Sequence, residues 1–278
     1  MSDSNIAQYG PAITCVRSTT TMPSSNVVLD IDGPIATVTL ARPAARNALT
    51  WAMYDALVEA CDAVPTTGAR VMIIRGSAGA FSAGTDISQF DEVRTGPDGV
   101  AYERRLAHVV ERLEAVDVPT IASVDGPAVG GGCALAVACD LRLAAETARF
   151  GVPVARTLGN CLSVENLARL VDLVGQGRVV DLLFTGRLVS AGEARDWGLV
   201  HRVVPAADLE ADTRALAREL ATRAGSTIAA TKQMLRRLRA ARRPAAGACD
   251  DLIAACYASA DFREGVAAFA AKRPPSFS

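Results

Sequence analysis

Histidine is almost missing from this chain: His108 and His201 are the two imidazoles in 278 residues. Zinc centres built on imidazole need several such ligands close together, so a His-rich site is excluded and no metal is expected. Net charge of either sign is missing too. Lys and Arg number 29 against 30 Asp and Glu, a formal charge of −1. No global positive field therefore exists to hold nucleic acid or an anionic membrane surface. No apolar run reaches the ~18 residues of a membrane-spanning helix. The start MSDSNIAQYG has no basic flank leading into an apolar stretch, so no signal peptide is expected. CxxC spacing is absent. The 7 cysteines are odd in number and lie mostly in apolar patterns, which points to reduced thiols packed as small hydrophobes in a cytoplasmic protein.

What is present is apolar material, 50% of the chain, ample for a real core. Residues 1–25 are polar, rich in Ser and Thr, and read as a flexible tail. VVLDIDGPIATVTL gives two β-branched runs joined around Asp32-Gly33, a hairpin signal. Thr50 caps a helix through Ala63. RVMIIR (70–75), PTIASV (119–124) and DLRLA (140–144) are short apolar runs of the kind buried on both faces of a parallel sheet. A helix over 100–115 separates the first two, and this alternation predicts an α/β fold of right-handed crossover units over 26–205. From Ser163 onward the pattern is helical, interrupted by a strand-like stretch at 199–204. Residues 206–278 read as a helical region docked on the core.

Two segments carry chemistry. FSAGTDI (81–87) and GPAVGGGC (126–133) each put small residues where the chain leaves a buried strand. A helix starting at the triple glycine presents free N–H groups and the positive end of its dipole. Two amides converging on one oxygen would make an oxyanion hole, each donor contributing about 3 kcal/mol to a transition state. A lone GGG would signal no more than close helix–strand packing.

Taken together, FSAGTDI, DGPAVGGGCALAVACDLRLA and ARFG resemble the two signature blocks of the enoyl-CoA hydratase/isomerase (crotonase) superfamily. RPAARNAL, EARDWGLVHRVVP and EGVAAFAAKRPPSF are similar to it as well, in order, so that the resemblance spans about 27–277. It implies a crotonase-like spiral of ββα repeats with a C-terminal helical trimerisation region, assembled as a homotrimer or homohexamer. It implies an acyl-CoA thioester as substrate, with no separate cofactor. On this resemblance the backbone amides of Ala83 and Gly131 bind the thioester oxygen. Gly84, Thr85, Asp86, Ile87 and Gly130 line the coenzyme A pocket, with Asp86 fixing the loop rather than reacting. Arg46 would lie near the nucleotide end of the coenzyme. Phe269 and Lys272 match a C-terminal aromatic and lysine that reach a coenzyme A site, where a point charge suits phosphate.

The pattern also breaks. The family's hydratases carry two glutamates that handle water and proton; here those positions hold Ala134 and Val154, and neither can transfer a proton. Isomerase, lyase or decarboxylase chemistry through an enolate suits the chain better than hydration, and the alternative is an acyl-CoA-binding protein without catalysis. The segment 155–163 is one residue longer than usual and polar, which makes Arg156, Thr157, Asn160, Ser163 and Glu165 candidates for relocated polar work. Arg156 could neutralise an acyl carboxylate, and Ser163 could simply cap a helix at Asn166. Cys133 reads as a buried small residue. A serine hydrolase would need a base beside Ser82 or Ser163, and the sequence places no histidine near either. In KQMLRRLRAARR (232–243) Met234, Leu235, Leu238 and Ala241 supply one apolar helix stripe, and the charges read as a solvated face rather than a nucleic-acid patch. Gly175-Gln176-Gly177 separates two helices and is no dinucleotide fingerprint.

Overall fold

The computed structural model describes residues 17–21, 26–245 and 247–278. Strand β1 (Arg17–Thr21) pairs antiparallel with β2 (Val27–Asp32), and β2 with β3 (Ile35–Leu40). Asp32 faces Ile35, so the hairpin turns on Gly33 and Pro34, with Gly33 at φ 57°. β1 falls inside the expected tail. RSTTT is rich in β-branched threonine, which suits an edge strand, yet it has no apolar alternation to announce itself. The remainder of that tail lies outside the described residues.

The chain then spirals. α1 (Trp51–Ala63), capped by Thr50 as anticipated, leads to β4 (Val71–Gly76), a loop, and α2 (Gly96–Ala115). α2 starts four residues early because Thr95 and Asp98 form a reciprocal capping box. The next turn is β5 (Thr120–Val124), β6 (Pro127–Val129) and α3 (Gly131–Ala138). The turn after it is β7 (Leu141–Ala145), β8 (Arg149–Gly151), α4 (Val154–Thr157) and α5 (Val164–Val174). α6 (Gln176–Thr185), β9 (Val189–Ser190), α7 (Ala191–Asp196) and β10 (Arg202–Val204) follow. Four helices end the chain: α8 (Leu209–Ala221), α9 (Gly225–Arg242), α10 (Asp250–Tyr257) and α11 (Ala260–Ala270). Among the described residues the strands form one sheet in the order β1-β2-β3-β4-β5-β7-β10, parallel from β3 onward, and a small sheet β6-β8-β9. An isolated bridge from Ser82 to Ala128 adds the loop after β4 to the small sheet. Each turn thus gives one strand to each sheet and then a helix, the expected ββα spiral.

The apolar runs were legible because both faces of the large sheet are covered. Met72, Ile74 and Ala122 pack with Leu57, Leu106 and Leu135 on one side. Ile73, Ile121 and Leu143 pack with Leu209 and Ala217 of α8 on the other. α10 lies directly on α2: a Cβ at Gly99 would sit 2.2 Å from the Tyr257 ring. α9 leaves its apolar stripe uncovered. Met234, Leu235 and Leu238 face outward, each more than half exposed, while Lys232 is buried and pairs with Asp140 and the Val118 carbonyl. The helix docks through that lysine stem and its charge instead of its apolar stripe. Among the described residues no helix is long and apolar enough to cross a membrane.

Candidate active site

Two loops are stapled together by Asn47, a fully buried residue at φ 56°. Its Nδ2 donates to the carbonyls of Ser77 (2.9 Å) and Ala80 (2.7 Å), and its Oδ1 accepts from the Arg42 N–H and the Ser77 hydroxyl. Ser82 extends the staple: its hydroxyl donates to the Asn47 carbonyl at 2.8 Å and accepts from the Gly84 N–H at 3.2 Å. That hydroxyl is committed to the loop. Neither histidine lines the cavity beside it; His201 Nδ1 accepts from the Arg142 N–H, and His108 is exposed. The Ser82 hydroxyl therefore has no histidine as its base.

The loop decides which amides stay free. The Ala83 N–H, expected to bind the oxyanion, donates to the Arg46 carbonyl at 3.0 Å. Leu49 donates to the Gly84 carbonyl at 2.7 Å and Asp86 to the Leu49 carbonyl at 2.9 Å, forming a parallel bridge between Leu49 and Thr85. Successive amides of extended chain point to opposite sides. The Thr85 N–H accordingly faces away from Leu49 and finds no acceptor among the described residues. Against expectation, then, the Ala83 amide is consumed within the loop, and the free amide of the turn is that of Thr85.

At the triple glycine, Gly130 (φ 54°) donates to the Gly151 carbonyl at 2.9 Å, and the Gly131 N–H opens α3 with no acceptor among the described residues. A Cβ at Gly84 would lie 2.9 Å from the Val129 carbonyl and 3.6 Å from the Gly131 nitrogen, so the two loops touch backbone to backbone. Gly132 serves packing, as the bland interpretation had it: a Cβ there would meet the Ser82 carbonyl at 2.6 Å.

Thr85 and Gly131 border one cavity of about 220 Å³ with largely apolar walls. Ala134 and Val154 stand in those walls. The Thr85 hydroxyl is held between the Tyr54 and Tyr102 hydroxyls at 2.7 and 2.8 Å. One lining residue is a carboxylic acid, Glu103 of α2, which sequence reasoning missed. Its Oε1 accepts from the Tyr257 hydroxyl at 2.7 Å and its Oε2 from the Ser163 N–H at 2.8 Å. Burial raises its pKa to about 7, outweighing the lowering by those two bonds. A signal existed, since Glu103 stands three residues from both Val100 and Leu106 on the inward stripe of its helix.

The other candidates separate cleanly. Asp86 fixes the loop, accepting from the Ser88 N–H and hydroxyl and pairing with Arg42 at 2.6 Å. Ile87 and Phe269 line the cavity, as do Thr157 and Asn160. Arg46 is exposed, and it is its carbonyl that touches the site loop. Lys272 lies past the end of α11, exposed, and is not among the residues that line the cavity. Arg156 is exposed on α4, its Cβ 2.6 Å from a Cβ built at Gly186, and it is not among the residues that line the cavity. Ser163 caps α5 by accepting from the Asn166 N–H, and Glu165 lies outside the cavity. Burial pushes the Cys133 thiol up to about 12, which keeps it inert. Among the described residues no cluster of three His, Cys, Asp or Glu could hold a metal ion.

Comparison with known proteins identifies the family. Residues 30–278 match the family model described as enoyl-CoA hydratase/isomerase. A probable enoyl-CoA hydratase of Mycobacterium tuberculosis is 37% identical over 92% of this chain and 99% of its own length. The 2,3-dehydroadipyl-CoA hydratase of Escherichia coli is 34% identical over 91% of this chain and 98% of its own. Among solved structures, a methylmalonyl-CoA decarboxylase in complex with 2-nitronate-propionyl-CoA superposes with a TM-score of 0.84 at 27% identity, covering 91% of this chain and 98% of that one. The chain belongs to the enoyl-CoA hydratase/isomerase family.

Proposed function

We propose that this enzyme binds acyl-coenzyme A thioesters and holds the thioester oxygen between the N–H groups of Thr85 and Gly131, stabilising the enolate of the acyl group. The observation that carries this is the pair of amides without acceptors at the edge of one apolar cavity. A backbone N–H left unpaired in the interior is costly, so a ligand oxygen is its natural partner. In a site that excludes water each such donor gains strength as negative charge develops. The thioester itself serves as the electron sink, and the chemistry needs neither a metal nor a redox cofactor. Ala134 and Val154 stand where, on the family resemblance, hydratases place their glutamates. Isomerisation or carbon–carbon cleavage, as lyase or decarboxylase, therefore fits better than simple hydration. The same two apolar residues favour a second reading, an acyl-CoA-binding protein without turnover.

Cinnamoyl-CoA tests the amides, because polarising its thioester carbonyl shifts its absorption to the red. The informative variant is Gly131→Pro in a Tyr54→Phe background, since a Cβ at position 131 would lie 2.5 Å from the Tyr54 hydroxyl. Proline is tolerated in the first turn of a helix and removes the N–H. Against Tyr54→Phe alone, the double variant is expected to lose the red shift and to slow turnover about 10²–10³-fold. A wild-type protein that gives no red shift on binding would sink the reading. A panel of acyl-CoA thioesters in heavy-oxygen water, read by mass spectrometry, separates the two alternatives. Bound thioesters that shift in absorption but come back chemically unchanged identify a binder.

A further inference from the structure

Resting on that enolate reading, we infer that Glu103 is the catalytic residue that moves the proton between the acyl chain and the protein. Glu103 lines the cavity yet is buried, and among the described residues no cation pairs with it. Tyr257 and the Ser163 amide each hold one of its oxygens, which fixes the carboxyl plane. Beside it Asn160 donates through Nδ2 to the same Tyr257 hydroxyl at 3.1 Å, while its Oδ1 is buried without a partner. The cavity thus contains an oriented acid and an unshared acceptor, and its remaining walls carry no carboxyl. A purely structural tie between α2, α5 and α10 accounts for two accepted hydrogen bonds. It accounts neither for the place of Glu103 in the cavity wall nor for the vacant Asn160 acceptor.

The step balances without a co-reactant. A carboxylate oxygen of Glu103 forms an O–H bond as an acyl C–H bond breaks. The C–H electron pair becomes the carbon–carbon double bond of the enolate, with its charge on the oxygen between the Thr85 and Gly131 amides. Returning the proton to the same carbon completes an exchange, and returning it to the conjugated carbon completes an isomerisation. Either way the carboxylate is regenerated.

The groups facing Glu103 are Tyr257 and Cys256 from α10, Glu165 from α5, and Tyr54 and Tyr102 from α1 and α2. Cys161 faces it from the loop before α5. A groove behind Glu103 also holds Arg104, paired with Asp250, and Arg169, paired with Glu114, together with His108 and Arg243. Burial dominates this surrounding and delays ionisation to about pH 7.

The test uses the full chain with propionyl-, butyryl-, 3-butenoyl- and phenylacetyl-CoA in heavy water, deuterium uptake being read by mass spectrometry between about pH 5.5 and 8.5. The wild type is expected to exchange acyl protons, the rate rising to a plateau with a midpoint near pH 7. Glu103→Gln should slow exchange about 10²–10⁴-fold while keeping the cinnamoyl-CoA red shift. Tyr257→Phe should move the midpoint upward, because it removes a hydrogen bond that favours the carboxylate. Wild-type-like exchange in Glu103→Gln overturns the proposal, and so does a wild type that exchanges none of the probes. Exchange that depends on Glu103 without any red shift retains Glu103 and sinks the amide pair instead. Should Glu103→Gln fail to fold, the Tyr257→Phe profile decides, and a midpoint that stays in place overturns the proposal.

Discussion

Asn47 and Ser82 show how single side chains set a site that consists of main chain. Neither lines the cavity, yet together they fix which amides of the 83–86 turn are consumed and which stay free. Asn47→Ala would leave the Ser77 and Ala80 carbonyls and the Arg42 N–H short of a partner in a buried place. Each such group costs about 1–3 kcal/mol, so a loss above roughly 3 kcal/mol in urea denaturation is expected. Because the same loop aims the Thr85 amide, acyl-CoA binding should weaken as well. Destabilisation below about 1 kcal/mol would show that water reaches these groups and that the staple is not needed. That the loop consumes the Ala83 amide and leaves the Thr85 amide free was not legible in the sequence. Both lie in FSAGTDI two residues apart, so regular alternation would turn both amides the same way; the break comes at Gly84, whose φ of 100° lets Ala83 donate to Arg46 while Thr85 stays free. The bridge to Leu49 decides, and it forms only once the remote 46–49 loop has folded back.

At the scale of elements, the long buried strands were readable and the short ones were not. β4, β5 and β7 appear as continuous apolar runs because helices cover both sheet faces. β6, β8 and β9 are three residues or fewer, too short to display a period, yet with Ser82 they build the second layer of the spiral. α9 illustrates a different limit: periodicity shows that a face is apolar, not which body covers it. Its outward Met234, Leu235 and Leu238 would be accommodated in the homotrimer or homohexamer that the family resemblance implies. α3 permits a sharper test of why GGG is there. Gly132→Ala would push a methyl into the Ser82 backbone at 2.6 Å, where neither element can yield, and should destabilise by roughly 1–3 kcal/mol. Gly177→Ala, in an exposed first turn with open space around it, should raise stability by up to about 1 kcal/mol. Thermal or urea melts of the two variants moving in the same direction would contradict this division between packing glycine and merely flexible glycine.

For the whole molecule, a buried acid in the cavity ties stability to pH. Folded, Glu103 keeps its proton up to about pH 7, whereas in the unfolded chain it ionises near 4.5. Between these values the folded state binds the extra proton, so this residue's contribution falls as pH rises through the window and is lost above it. A gap of that width corresponds to roughly 3 kcal/mol. His201 acts in the opposite sense over part of the same range. Burial lowers its pKa from the usual 6.5, so the unfolded chain takes up its proton first on acidification and stability falls toward acid. The absolute pH profile therefore mixes two slopes, and only a difference isolates one. Glu103→Gln carries no titrating proton at that position, and its loss of an acceptor for the Ser163 N–H is a constant offset at every pH. The wild type should lose stability relative to Glu103→Gln by roughly 2 kcal/mol between about pH 5 and 7.5, measured by urea denaturation at each pH. Parallel profiles for the two proteins would mean that the carboxyl titrates as an ordinary solvated glutamate, which a group enclosed by α2, α5 and α10 cannot do.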